Sequence, residues 1–378
     1  WTVGALRASI GAKERKFGLK THDHKSVWRL AEVVKGHAVL FASLATWIRR
    51  GHRLVITRGN HDVDFYWAKV RNFLRLSLAT KIAEADATMS EKDALDRVLA
   101  ALLFVHDVVV VDDVIHIEHG HRFDKLSSTV PWQEVTLGGG KELNLSFGAF
   151  FNRYLLNPIE LRYPFLNNVR PREKVFALLI RERFSLALKL LAWHVPFLFR
   201  VIPKRYFSYL FRNFLLVVGA LLVPVGLFVA FEWHAVLGFA KMRNAQGITG
   251  LVANAATGTG LLLLSYVFAR LLAHFQLVEA EHLALYAPAI FRGNSALRFV
   301  IVGHTHNPHR AAIDAERSFL NSGTWIPIVD NSSADIRQDR TYTFVEMLAA
   351  QGQYVANLRR WNDDAGRIDH FCVVKRAR

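Results

Sequence analysis

The chain is almost without cysteine, since Cys372 is the only one among its 378 residues. A single thiol excludes an internal disulfide and a cysteine-type zinc site, and it is compatible with a reducing compartment. The sequence also lacks internal repeats and low-complexity tracts, which excludes a solenoid. No zinc-finger spacing, RNP-like motif or Gly-rich RNA loop is present, so nucleic acid is not the favoured partner.

Acidic residues are scarce relative to basic ones. The chain has 48 Lys and Arg against 32 Asp and Glu, which gives a formal net charge of +16. A charge of this size favours either a nucleic acid or an anionic membrane surface as partner. Much of it lies between 150 and 212 among aromatic and aliphatic residues, which favours lipid: Arg153, Arg162, Arg170, Arg172, Lys174, Arg181, Arg183, Lys189, Arg200, Lys204, Arg205 and Arg212.

Long uncharged runs are present, and hydrophobic residues make up 52% of the chain. Residues 214–231 and 247–269 carry no charge and approach the length that crosses a bilayer core. We interpret them as a transmembrane hairpin, and the basic residues before and after it place the catalytic domain on the cytoplasmic face. Lys241 and Arg243 in the connecting loop weaken that orientation, and buried core helices remain the alternative for both runs.

Hydrophobic periodicity outside this region is typical of an α/β protein. Apolar residues at helical spacing predict a helix over 27–50, and residues 64–104 are also predicted to be helical. Short β-branched runs predict strands. These strands are Leu54–Thr57, Val108–Val111, Val114–Glu118, Phe299–Val302, Ser318–Leu320, Tyr342–Met347 and Tyr354–Leu358. Val108–Val111 and Val114–Glu118 are predicted to form a hairpin through Asp112-Asp113.

Three polar loops follow three of these predicted strands. They are Gly59-Asn60-His61-Asp62, His119-Gly120-His121 and Gly303-His304-Thr305-His306. In layered α/β proteins the loops at the carboxyl ends of strands converge on one crevice. Asn, His and Asp side chains bind catalytic divalent metals, so the three loops predict a shared metal site.

These motifs resemble the calcineurin-like metallophosphoesterase family, which carries the blocks D-x-H, G-D-x-x-D, G-N-H-D/E, a later His and G-H-x-H. The last three blocks occur here in order, and the resemblance covers roughly residues 37–130 and 280–360. The first two blocks are absent, and we expect the strands that carry them to lie upstream of Trp1. The resemblance implies a four-layer α/β/β/α sandwich with a helical, membrane-associated insertion. Its expected parts are 1–139 and 280–378 for the core and 140–279 for the insertion.

The resemblance also assigns roles to individual side chains. Asn60, His119 and His304 would bind the second of two divalent metals, and His306 would bind the first with residues of the absent blocks. His61 would assist the leaving oxygen of a phosphate ester as a hydrogen-bond donor or general acid, and Asp62 would orient it. Further candidates lie beside these ligands: His121 as an alternative ligand or supporting group, Asp124 as a supporting carboxylate or helix cap, and Asn321 as a site contact or turn residue.

The metals implied are Mn, Fe or Zn, since mixed nitrogen and oxygen ligands make Mg less suitable. Without the bridging Asp of the G-D block, one metal site is incomplete, and we expect this chain to be poorly active. The sequence therefore predicts a membrane-anchored, metal-dependent hydrolase of a phosphate ester or pyrophosphate, with a phosphorylated small molecule or lipid as substrate. The UDP-diacylglucosamine pyrophosphohydrolases resemble this chain in having the same site blocks and an inserted helical cap. They typically carry Arg at the position of His61, so the His here indicates a more general phosphoesterase. A catalytically degenerate membrane scaffold and a nuclease of the same superfamily are the alternatives.

Overall fold

The computed structural model describes residues 10–124, 127–128, 135–137, 139–156, 169–170, 279–327, 329–330, 340–350 and 352–371, with isolated positions between 184 and 263. The chain divides into two compact units, one formed by Trp1–Ala187 with Leu283–Arg378 and the other by Leu188–His282. All candidate site residues belong to the first unit. The domain boundaries expected from the sequence, at 139 and 279, stay a prediction.

The first half of the described chain is mainly helical. Its helices are α1 (Ala12–Phe17), α2 (Asp23–Gly36), α3 (Ala38–Arg49), α4 (Ala68–Ala85) and α5 (Glu91–Ala101), with a 3-10 turn at Val63–Tyr66. Phe41, Ile48, Leu78 and Val98 are among the side chains that bury one face of α3, α4 and α5 against each other. The parallel strands β1 (Leu54–Thr57) and β2 (Leu102–Val105) pack on this helical cluster.

Two of the predicted helices are wrong in extent. The helix predicted over 27–50 is broken, since His37 adopts φ −121° and ψ 44° between α2 and α3. Gly36 precedes this break, and glycine weakens a helix by about 1 kcal/mol relative to alanine. The predicted helix over 64–104 is two helices, and its last residues form β2, where pairing with β1 overrides local propensity.

A five-stranded sheet forms the centre of the second half. Its strands are β3 (Val108–Val111), β4 (Ile115–Glu118), β8 (Phe299–Val302), β9 (His309–Ala312) and β10 (Ser318–Asn321), in the order β3-β4-β8-β10-β9. The predicted hairpin of β3 and β4 is confirmed, and Asp112 and Asp113 take the positive φ values that its tight turn requires. Strands β4, β8 and β10 are parallel, so their carboxyl ends lie at one edge.

A second, antiparallel sheet covers one face of the first. It consists of β12 (Thr343–Ala350), β13 (Gln353–Asn362) and β14 (Arg367–His370). Side chains alternate along β8: Phe299 and Ile301 pack towards Ala356 of β13, and Val300 and Val302 pack towards Phe291 on the other face. Phe291 belongs to α7 (Ala287–Gly293), which follows a 3-10 helix at Glu279–Tyr286. Strand β8 is therefore buried on both faces.

Short elements complete the described chain. They are the two-residue strands β5 (Thr136–Leu137), β6 (Glu142–Leu143), β7 (Val169–Arg170) and β11 (Val329–Asp330), the helix α6 (Phe147–Phe151), and a π-helical turn at Asn152–Leu156. The chain is thus a mixed α/β protein, as predicted at this level. No helix among the described residues is long and apolar enough to cross a membrane. The predicted spans 214–231 and 247–269 lie outside those residues, apart from positions 259, 260 and 263.

Asp64, in the 3-10 turn at Val63–Tyr66, binds side chains from two other parts of the chain. Its carboxylate accepts hydrogen bonds from Ser26 and Arg29 of α2 and from Arg153 of the π-helical turn. Burial alone raises the pKa of this carboxyl, but the charges of Arg153 and Arg29 and the bond from Ser26 outweigh it. The pKa of Asp64 therefore lies below its ordinary value of 3.8.

We expect Asp64→Asn to lower the free energy of unfolding by about 3 kcal/mol at pH 7, because it leaves two partly buried guanidinium groups without their shared anion. The depressed pKa stabilises the fold fully above the ordinary value, and this contribution is lost as pH falls through the folded-state pKa. Urea unfolding between pH 7 and pH 3 measures both effects. The Asn variant should lose less stability on acidification than the parent, and an equal loss in both proteins would contradict the assignment.

Candidate metal centre

The three polar loops meet at the carboxyl ends of their strands. His119 follows β4 and Gly303-His304 follows the neighbouring strand β8, and both Gly303 N and His304 N donate to the carbonyl of His119, at 3.2 and 3.0 Å. The loop after β1 lies against the same point, since a Cβ on Gly59 would be 3.1 Å from the His119 ring. A side chain at 59 would require the His119 ring or the Asp62 carboxylate to shift by a few tenths of an ångström, so glycine favours this approach of backbone to imidazole.

Three ligand-type atoms converge where the loops meet. His119 Nε2 lies 3.0 Å from Asn60 Oδ1. The same nitrogen lies 3.3 Å from His304 Nδ1, although 185 residues separate the two histidines. Two ligands bound at about 2.1 Å to one ion are separated by roughly 3.0–3.4 Å for octahedral or tetrahedral angles. The spacing and chemistry of these atoms therefore fit a shared divalent metal.

The cluster is short of a complete ligand shell. Within the part of the chain that the structure describes, no group of three or more His, Cys, Asp and Glu side chains is arranged to hold a metal ion. The convergent set joins two imidazoles to one amide oxygen and contains no carboxylate. A fourth ligand would have to come from water, substrate or further protein groups.

Asp124 contacts the imidazole of His304. Its Oδ2 lies 3.0 Å from His304 Nε2 and also accepts a hydrogen bond from Ser127 Oγ at 2.7 Å. A carboxylate on Nε2 favours the tautomer that carries its proton there, which leaves a lone pair on Nδ1, the atom that lies 3.3 Å from His119 Nε2. Asp124 thus contacts a candidate ligand, and its role as a supporting carboxylate or helix cap stays a prediction.

We expect Asp124→Ala to weaken Mn²⁺ binding by about 10- to 100-fold, the usual effect of removing a carboxylate that orients a ligating histidine. Asp124→Asn should bind Mn²⁺ with an affinity between those of the parent protein and Asp124→Ala, because its amide oxygen can still accept a hydrogen bond from His304 Nε2. Isothermal titration calorimetry with Mn²⁺ measures the change, and Asp96→Ala on the exposed side of α5 serves as the control. Equal Mn²⁺ affinities of Asp124→Ala, Asp124→Asn and Asp96→Ala would show that Asp124 does not support metal binding.

The surroundings lower the pKa of two histidines, His119 and His121. Burial, and then the charge of His304, lowers the pKa of His119 to about 2. Burial and His304 likewise lower the pKa of His121 to about 4. His306 stands in a left-handed turn at φ 58°, and its charge also acts on His119. Metal ligation requires neutral imidazole, so these shifts prepare His119 and His121 for it at neutral pH.

The loop that carries His61 is closed by Asp62. The Asp62 carboxylate accepts a hydrogen bond from Gly59 N at 2.6 Å. Burial raises its pKa, and that backbone hydrogen bond offsets part of the rise. The expected role of Asp62 in orienting His61 stays a prediction. A contact that sequence reasoning missed is Asn152 of the π-helical turn, whose Nδ2 lies 3.2 Å from His61 Nδ1.

Arg58 is the second residue that sequence reasoning missed. It is buried directly before the G-N-H-D loop, and Asp107 lies 3.8 Å away. With Asn60, His121, Ser127 and other residues it lines a cavity of about 20 Å³, which is room for about one water molecule. Its charge also acts on Asp62 and His121. Its position next to a predicted metal-binding loop is the sequence feature that could have identified Arg58 as a site residue.

Asn321 makes the turn after β10 and also contacts one of the three polar loops. It is fully buried at the end of β10, where its Oδ1 accepts from Gly323 N at 2.9 Å. Its Nδ2 donates to Thr305 Oγ1 at 2.8 Å. Asn321 thus joins the turn after β10 to the Gly303–His306 loop and holds that loop in position.

Comparison with known proteins gives no relative. No protein-family model, no curated protein and no solved structure matches the chain.

Proposed function

We propose that the chain is a metal-dependent phosphoesterase. The observation that carries the proposal is the position of His119 Nε2, which lies 3.0 Å from Asn60 Oδ1 and 3.3 Å from His304 Nδ1. These three atoms come from three separate loops, at the carboxyl ends of strands whose packing has no need of them. Neutral nitrogen and amide oxygen ligands suit Mn, Fe or Zn.

Divalent ions at such a site would neutralise a phosphate ester and lower the pKa of an attacking water. In this chain Asn60, His119 and His304 would hold one ion, with His304 oriented by Asp124. His306 would contribute to a second ion, for which the described residues supply too few ligands. The expectation of poor activity for this chain follows from that shortage.

Two side chains would act on the substrate. Arg58 places a permanent positive charge beside Asn60 and His121, where it would attract a phosphoryl oxygen. His61 lies next to Asn60 in sequence, and its Nε2 is 3.4 Å from Asn60 Nδ2. From there it would donate a hydrogen bond or a proton to the leaving oxygen.

The finer expectations belong to the same proposal. They are the four-layer sandwich, the membrane-associated insertion over 140–279 with spans at 214–231 and 247–269, and a catalytic domain on the cytoplasmic face. A lipid-linked phosphate or pyrophosphate is then the natural substrate, because an insertion next to the site would present it. What supports membrane association is composition: two uncharged runs beside a basic, aromatic stretch.

The test measures Mn²⁺ binding and hydrolysis on one protein preparation. We expect calorimetry to show Mn²⁺ binding, and bis(p-nitrophenyl) phosphate to be hydrolysed slowly with Mn²⁺ and not after treatment with EDTA. Binding without any turnover would favour the degenerate scaffold. The absence of both binding and turnover would overturn the proposed site.

A further inference from the structure

Helix α3 has two unlike faces. Phe41, Ala45 and Ile48 are buried against α4 and α5, whereas Val39 is 81% exposed and Trp47 is 49% exposed. The outward residues repeat at intervals of three and four, the spacing of one helical stripe. This stripe, named the α3 face, consists of Val39, Ala42, Ser43, Thr46, Trp47 and Arg50, and it lines a shallow groove of about 450 Å³.

The segment around the α3 face carries charge of one sign. Between Val33 and His61 there is no Asp or Glu, and the basic residues are Lys35, Arg49, Arg50, Arg53 and Arg58. Lys35 precedes α3, Arg50 and Arg53 follow it, and all three are exposed. An apolar stripe is thus bounded at both ends by exposed cations.

Trp47 has the surroundings of an interfacial aromatic side chain. Its ring is half exposed and lies 4.2 Å from the ring of His52, and its Nε1 donates to the carbonyl of Arg53 at 3.0 Å. Tryptophan with an apolar body and a satisfied polar edge concentrates at membrane–water boundaries. We propose that the α3 face docks on an anionic lipid bilayer, with Val39 and Trp47 inserted at the acyl boundary and Lys35, Arg50 and Arg53 on the headgroups.

Other occupants fit this face less well. A second copy in a two-fold arrangement would bring the cationic ends of two α3 helices together, which opposes pairing. The phosphates of a nucleic acid would pair with the basic side chains. A nucleic acid would, however, leave Val39 and Leu40, which is 47% exposed, without apolar partners. A bilayer with anionic headgroups satisfies both the charge and the exposed aliphatic side chains.

The test places an environment-sensitive fluorophore at Val39→Cys in the full chain, with Cys372→Ser removing the native thiol. Leu285→Cys, at a side chain that is 75% exposed on the 3-10 helix before α7, is the matched control. Vesicles contain brominated lipids and are either zwitterionic or rich in phosphatidylserine. We expect the anionic vesicles to quench the probe at 39 much more than the probe at 285, and added salt to reverse this quenching.

Charge removal gives the second arm. Arg50→Gln with Arg53→Gln should weaken partitioning to anionic vesicles by about 30-fold if the α3 face carries binding. If other segments also hold the protein on vesicles, quenching at 39 is still lost in this double variant. The proposal is overturned if protein bound to anionic vesicles shows no quenching at 39, or equal quenching in both lipids. It is also overturned if the probe is already shielded from iodide without lipid, which would mean that protein covers the face.

Discussion

His304→Ala is expected to weaken Mn²⁺ binding by at least about 100-fold, because it removes one of only three convergent ligand atoms and orphans the Asp124 carboxylate. His304 Nδ1 lies 3.3 Å from His119 Nε2, and its other nitrogen contacts Asp124. The affinity is measured by calorimetry with Mn²⁺ at pH 7.5, where the depressed pKa of His119 keeps that ligand neutral.

The control for this variant is His52→Ala. His52 is an exposed histidine that lies against Trp47 and not beside the cluster, so its loss should leave Mn²⁺ affinity unchanged. Asn60→Ala and His119→Ala should resemble His304→Ala, and a double variant should bind little worse than a single one, because ligands of one ion act as a unit. Full Mn²⁺ affinity in the His304 variant would show that the ion binds elsewhere.

Gly323→Ala is expected to lower the free energy of unfolding by about 2–5 kcal/mol. Gly323 has φ +76°, and a Cβ there would lie 2.0 Å from Thr343 Oγ1 and 2.8 Å from Pro308 Cβ. The left-handed backbone alone costs alanine about 1–2 kcal/mol, and forcing apart two packed side chains adds about 1–3 kcal/mol. Thr343 begins β12, so the displacement acts on the contact between the two sheets.

Gly352→Ala separates these two causes. Gly352 has nearly the same φ of +77°, but nothing lies within 4 Å of the added Cβ. Its replacement should cost only the backbone contribution of about 1–2 kcal/mol. Urea unfolding of both variants gives the difference, with linear extrapolation to water. Similar losses in the two proteins would mean that Pro308 and Thr343 yield easily and that crowding is not what fixes glycine at 323.

Local pattern determined much of the fold. The strands Leu54–Thr57, Val108–Val111 and Phe299–Val302 lie where β-branched runs predicted them, because such runs are recognised from neighbouring residues alone. Helix ends were harder to predict. The strand at Leu102 depends on pairing with β1, which no local window contains.

The candidate site divides in the same way. The sequence alone showed the residue types of the three loops and their positions after predicted strands. Asn60, His119 and His304 could therefore be proposed together. The sequence could not supply their separations of 3.0 and 3.3 Å, since these depend on the parallel pairing of β4 with β8 and on the approach permitted by Gly59.

Tertiary structure alone decided which residues support the ligands. Asp124 reaches His304 across 180 residues, Asn152 reaches His61 across 91, and Arg58 lines the same small cavity as His121. The sequence around such a supporting group has no distinctive pattern. Its role depends on which partner folding brings within hydrogen-bond distance, so the sequence alone does not predict it. Composition and periodicity determined the class of protein and the ligand types. The position of each supporting group was decided by long-range contacts, which form only when the sheets and helices pack.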